Sequence, residues 1–254
     1  RRDRLLSLVV DCGSHMNRGP TGRTMLSYAR EVALGLVDAA ESHADPVSAQ
    51  FVGDAATTWE FGPSSSSNAY QTVRRRLLAI APTTSPHRPV GASRPVAPED
   101  ARKRSRRLDG DDSAFAATLR PYLSDGESYV SRVSDRPLFD AVKSACSRSD
   151  RQDHLVLVTD DSAKVETYEA VVVASKRSSQ TSVFLTPTTF FDDAAESETV
   201  DAGGAGGARD ADAAGFVAFE EFRKRLERLP NVTAYEVAPK SAMALATGRA
   251  TAAE

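Results

Sequence analysis

Two apolar runs in this chain each end in a carboxylate. Leu5-Leu6-Ser7-Leu8-Val9-Val10 closes on Asp11, and His154-Leu155-Val156-Leu157-Val158-Thr159 closes on Asp160, with Asp161 next. Runs this continuously apolar read as strands buried on both faces, as in a parallel sheet. In such a sheet ligands sit at the carboxyl ends of central strands. Both aspartates are expected there, and neighbouring carboxylates repel unless a cation lies between them. Asp160-Asp161 could also act as a catalytic acid pair, although a strand-end acid followed by a helix-start acid is an ordinary structural pattern. Cys12 lies beside Asp11, and only His15 is near enough in sequence to serve it as a base.

Other catalytic signatures are weak or missing. Gly19-Pro20-Thr21-Gly22-Arg23-Thr24 resembles a phosphate loop but has no lysine, and Asn17 stands where its first glycine belongs; a turn before a helix explains it better. A Gly-x-Ser-x-Gly elbow is absent. A haloacid-dehalogenase-type phosphatase would carry a second aspartate where Gly13 stands.

The elements that must position these residues follow from periodicity. After a polar loop, Gly13 to Gly22, the stripe Met25, Ala29, Val32, Ala33, Leu36 and Val37 predicts a helix over about 23–42. Residues 46–52 and 57–61 alternate in polarity, and only Gly53-Asp54-Ala55-Ala56 joins them. That connection is too short for a parallel crossover, so an antiparallel hairpin is expected. Helices are predicted over about 68–80, 113–123, 137–146 and 163–176, and strands at 181–186 and 231–237. Phe216, Phe219, Phe222, Leu226 and Leu229 give 214–229 a strongly amphipathic pattern, stopped by Pro230. A short helix is expected to end the chain. Two segments break the pattern: about 83–112, with four prolines and the basic run 102–107, and about 192–212, rich in Ala, Gly and acids. Both read as flexible insertions. Strands alternating with helices give one α/β domain over 1–254, a doubly wound, mostly parallel sheet with one antiparallel edge strand.

Composition narrows the function classes. With 254 residues, 41% hydrophobic and 26% charged, the chain can close a sizeable core, which excludes collagen, coiled coil and wholesale disorder. The net charge of −3 sets up no field that would draw the whole chain to nucleic acid, and the basic run reads as part of a solvated insertion. No run is long enough to span a bilayer. The chain starts at Arg1 rather than Met and reads as a fragment. A cytoplasmic location is expected, with membrane attachment only through a segment outside this chain. Cys12 and Cys146 suggest no disulfide framework and a reducing compartment.

The element order, the early hairpin and the two strand-end aspartates resemble a von Willebrand factor A domain over nearly the whole chain. More narrowly, Leu8-Val9-Val10-Asp11-Cys12-Gly13-Ser14-His15-Met16, Arg136-Pro137-Leu138-Phe139-Asp140-Ala141-Val142 and Leu157-Val158-Thr159-Asp160-Asp161 resemble the A-type family found beside MoxR-type AAA+ ATPases. The resemblance implies a metal-ion-dependent adhesion site. That site takes Asp-x-Ser-x-Ser after the first strand, a Thr from a later loop and an Asp from the fourth strand. Those hard oxygen ligands hold Mg²⁺ with positions open to water and a partner's carboxylate. Asp11 and Asp160 match its two aspartates. Gly13 and His15 replace the serines, Ser14 is one residue out of register, and Arg136 falls where the Thr belongs. A degenerate site is therefore expected, with no cofactor and with Arg136 supplying the missing positive charge by bidentate hydrogen bonds. A rebuilt Mg²⁺ site would have to use Asp11, Ser14 and Asp160, with His15 as a further candidate. The function implied is a protein-interaction module, partner to a MoxR-type ATPase in complex assembly, binding through the region of Asp11, Gly13, Ser14, His15, Arg136, Asp160 and Asp161. The alternative is a metal-dependent hydrolase using the same strand-end carboxylates.

Overall fold

A computed structural model describes residues 4–20, 22–83, 136–147, 153–191 and 205–237, with side chains of the last segment from residue 215 onward. It is an α/β structure built on one six-stranded sheet. The strands are β1 (Leu6–Asp11), β2 (Val47–Val52), β3 (Thr57–Ser64), β4 (His154–Asp160), β5 (Gln180–Thr186) and β6 (Val232–Glu236). Their order across the sheet is β3-β2-β1-β4-β5-β6. Every neighbouring pair is parallel except β2 and β3. The expected doubly wound sheet with an antiparallel edge strand is what the chain forms.

Burial explains the strand sequences. Every residue of β1 is buried, and so is all of β4 and β5 after the first residue of each. Edge strand β3 instead has no buried residue and is exposed at half of its positions or more. Its Trp59 and Phe61 lean on the core, and Trp59 meets Phe51 with ring centroids 4.7 Å apart. Pro63 lies on this edge strand, where a missing N–H costs no ladder bond and discourages further pairing.

Helices α1 (Met25–His43) and α2 (Ser67–Leu78) cover one face of the sheet. Helices α3 (Pro137–Ser147), α4 (Lys164–Arg177) and α5 (Ala205–Glu227) cover the other. The predicted stripe of α1 is its buried face, except that Leu36 is only half-buried. Thr24 caps the helix by accepting from the Ser27 N–H at 3.3 Å, and Ala44 ends it in the left-handed region at φ 57°. Ser66 caps α2 in the same way.

The second expected insertion is corrected in part. Residues 205–212 lie within α5, where the alanines that read as low complexity are also the best helix formers and offset the cost of Gly206 and Gly207. Residues 192–204 lie outside the described residues. So do the first insertion beyond Thr83, the basic run, the helix expected over 113–123 and the one expected at the chain's end. No helix among the described residues is long and apolar enough to cross a membrane.

Candidate functional site

The chain leaves β1 toward β2 on one side of the sheet and later builds β4, β5 and β6 on the other, so β1 and β4 flank the switch point. A crevice forms there, beyond the carboxyl ends of both strands. Register puts Val10 opposite Val158, and Asp11 and Asp160 follow at the adjoining strand ends. Their environments differ. Asp11 is held at both oxygens: the Gly13 N–H donates to Oδ1 at 2.9 Å, and the Thr159 hydroxyl donates to Oδ2 at 2.7 Å. Asp160 is fully buried. The Ser162 N–H and hydroxyl donate to its Oδ1 at 3.0 and 2.7 Å, while its Oδ2 has no hydrogen-bond partner.

His15 sits between the two acids. After β1 the chain winds into a single 3-10 turn, Ser14–Asn17, anchored by the buried Met16. This turn brings His15 Nε2 to 3.1 Å from Asp11 Oδ2 and 3.8 Å from Asp160 Oδ1. On the other side of the ring, Nδ1 lies 4.0 Å from Asp54 Oδ1. Burial disfavours a charged imidazole, but the hydrogen bond to Asp11 and the charges of Asp11, Asp160 and Asp54 outweigh it and raise the His15 pKa to about 9. For Asp160 burial dominates and pushes the carboxyl up, with His15 and the Ser162 donors working against that push.

Asp54 belongs to this cluster although the sequence marked it only as a hairpin-loop residue. Its carboxylate accepts from the Ser14 N–H at 3.0 and 3.1 Å, from the Ser14 hydroxyl at 3.1 Å and from the Thr83 hydroxyl at 2.6 Å. Burial pushes its pKa up, and these donors together with His15 outweigh that push and bring it below the ordinary value. Glu166, on the first turn of α4, is a fourth acid that sequence reading missed. It accepts from the Leu138 N–H at 3.2 Å, at the start of α3. Burial raises its pKa, Arg136 lowers it and Asp11 raises it further. Neither residue carries a local signal: Asp54 reads as turn chemistry and Glu166 as an ordinary first-turn acid. Only the sheet order brings them to the switch point.

Three expected site residues are placed differently. Arg136 does not fill the gap between the aspartates. It is exposed, one residue ahead of α3, and the packing of α3 on α4 sets its charge against Glu166. Ser14, the one hydroxyl left for a rebuilt metal site with Asp11 and Asp160, turns to Asp54 instead. Asp161 is a loop tie: it accepts from the Thr188 N–H at 2.9 Å and pairs with Lys164 at 3.3 Å. Cys12 is buried against Thr58, and burial, with the charges of Asp11 and Asp54, lifts its thiol to about 11. A thiol held protonated does not act as a nucleophile near neutral pH.

The residues present do not fit the Mg²⁺ that the resemblance to a von Willebrand factor A domain implies. The ion needs several oxygens at about 2.0–2.1 Å in octahedral array. Here an imidazole nitrogen stands between the two aspartates, the hydroxyls of Thr159 and Ser162 each donate to one aspartate, Ser14 of the first loop is turned to Asp54, and the later-loop position is an exposed arginine. Among the described residues no group of three or more His, Cys, Asp or Glu side chains is disposed to hold a metal ion.

No protein-family model matches the chain, and no curated protein matches it. Among solved structures, a point mutant of the PilB minor pilin from Streptococcus sanguinis is similar over 98% of this chain and 60% of that one, with 10% sequence identity and a TM-score of 0.45. The chain therefore spans less than two thirds of that pilin structure's length, and a likeness this distant carries no argument about function.

Proposed function

We propose that the chain is a protein-interaction module of the von Willebrand factor A type, working without a metal ion as the partner of a MoxR-type ATPase in complex assembly. One observation carries this reading: the two strand-end aspartates at the switch point are bridged by the protein's own His15, at 3.1 and 3.8 Å. A site arranged in this way is suited to present a fixed surface rather than to activate water. The same edge of the sheet exposes apolar surface suited to contact. Phe190, in the turn after β5, is 44% exposed, and Phe216 of α5 lies beside it with ring centroids 5.9 Å apart.

The test is reconstitution. The chain and the MoxR-type ATPase of the same genome are purified separately, mixed with nucleotide, and followed by sedimentation velocity with and without a chelator. A discrete complex that survives the chelator is the expected result. Failure to associate under any nucleotide condition rejects the ATPase as partner. The competing hydrolase reading requires turnover of simple ester or phosphoester substrates that depends on a divalent ion, and no turnover is expected.

A further inference from the structure

We propose that Gly13 and His15 act as a coupled pair: Gly13 leaves the space that lets the His15 ring lie down among Asp11, Asp54 and Asp160, where the ring serves as the resident cation of the site and closes it to a divalent ion. This goes beyond the partner reading and stands or falls without it.

Space is the first observation. A Cβ built on Gly13 would lie 2.4 Å from His15 Cε1, 2.7 Å from His15 Nδ1 and 3.0 Å from Asp54 Oδ1. Real Cβ atoms do not approach as closely as the two ring contacts, so a side chain at 13 would push the ring from its seat. The backbone of Gly13 is not what demands glycine. Its φ of −58° and ψ of 162° suit any residue. The position is glycine for the ring's sake.

Charge is the second observation. Three carboxylates from three different parts of the chain face the ring: Asp11 from β1, Asp54 from the β2–β3 loop and Asp160 from β4. Asp160 has lost all contact with solvent and has one oxygen without a hydrogen bond. Such a group is costly unless a positive charge compensates it. Lys164 pairs with Asp161, and the charge of Arg136 acts on Glu166. His15 is thus the cation the geometry assigns to Asp11 and Asp160.

The two positions are also those at which this loop departs from the Asp-x-Ser-x-Ser pattern. The departures are coupled in space. A serine at 13 would exclude the ring, and without the ring the acids would need a charge from solution.

Three preparations test this: the unmodified chain, His15→Gln, and Gly13→Ala, which keeps the histidine but takes away its room. Each is melted in chelator and in millimolar Mg²⁺ or Ca²⁺, and the unmodified chain is titrated with Mg²⁺ by calorimetry. The unmodified chain is expected to show no heat of binding and no shift in Tm. Both variants are expected to melt lower in chelator, by on the order of 5 °C or more, and to regain part of that loss with the divalent ion. Recovery by added cation distinguishes a missing charge from a missing contact. Micromolar Mg²⁺ binding to the unmodified chain overturns the proposal. So does a His15→Gln chain as stable as the parent, or destabilised variants indifferent to divalent ions. Should His15→Gln fail to fold, Gly13→Ala and the calorimetry decide.

Discussion

Asp11 makes hydrogen bonds to Gly13, Thr159 and His15, and the last of these is the one that responds to pH. His15 has a folded pKa of about 9 against an ordinary histidine value of 6.5. A raised pKa means the folded state binds the proton more tightly, so the stabilisation is complete below about 6.5 and is lost as the pH rises through 9. At about 1.4 kcal/mol per unit its upper bound is roughly 3.5 kcal/mol. Asp160 opposes part of this, because a carboxyl pushed upward by burial favours the folded state less once it ionises. The groups facing the ring are Asp11, Asp54 and Asp160. Denaturant unfolding between pH 6 and 10 should therefore show stability declining between about pH 6.5 and 9 in the parent and a flatter profile in His15→Gln. Thr159 gives a second residue-level outcome. Thr159→Val keeps the strand's shape but removes the buried donor to Asp11, and a loss of about 1–3 kcal/mol is expected by the same measurement.

At the scale of elements, much of the core lies on helix faces away from the acid cluster. Helix α5 buries Phe219 and Leu226 completely on the face of the sheet opposite α1. Phe219→Ala should cost about 3–5 kcal/mol, as expected for an aromatic side chain removed from a closed core; chemical denaturation measures it. By contrast Arg223, half-buried on α5, bridges Glu220 and Glu227, and Arg223→Ala should cost about 1 kcal/mol. Thr24→Ala removes the cap of α1, worth about 1 kcal/mol. The amphipathic stripe of α5 was legible from its aromatic spacing, but its first two turns were not. Ala and Gly in series carry no polarity pattern, and the same composition serves a helix or an insertion until packing chooses.

For the molecule as a whole, the sheet order places the acid cluster and the exposed Phe190 and Phe216 on one rim. Binding of the proposed ATPase partner is expected to use that rim. Phe190→Ser and Val217→Ser should each weaken the complex about tenfold or more without lowering Tm, since both side chains are solvent-exposed at 44% and 57%; anchors of this kind are worth about 1–2 kcal/mol or more. Arg223→Ala, nearly two turns further along the same helix, should leave the affinity unchanged. Equal loss in all three variants would place the contact elsewhere.

Hydrophobic pattern and connection length alone determined most of the architecture. Continuous apolar runs marked β1 and β4 because strands buried on both faces cannot alternate. The four-residue link 53–56 marked the antiparallel edge because a parallel crossover cannot be that short. The strand-end positions of Asp11 and Asp160 followed from the same reasoning, and so did the need for a cation between them. Which cation it is was decided only in three dimensions. By its correspondence to the family's loop position the sequence pointed to Arg136, whereas the fold seats His15 there. A ring four residues beyond Asp11 reaches the gap within a single 3-10 turn, while Arg136 is carried outward by the helix that begins at Pro137. Asp54, Thr83 and Glu166 joined the site for the same reason: side-chain convergence depends on strand order and loop path, and no local spacing in the chain encodes either.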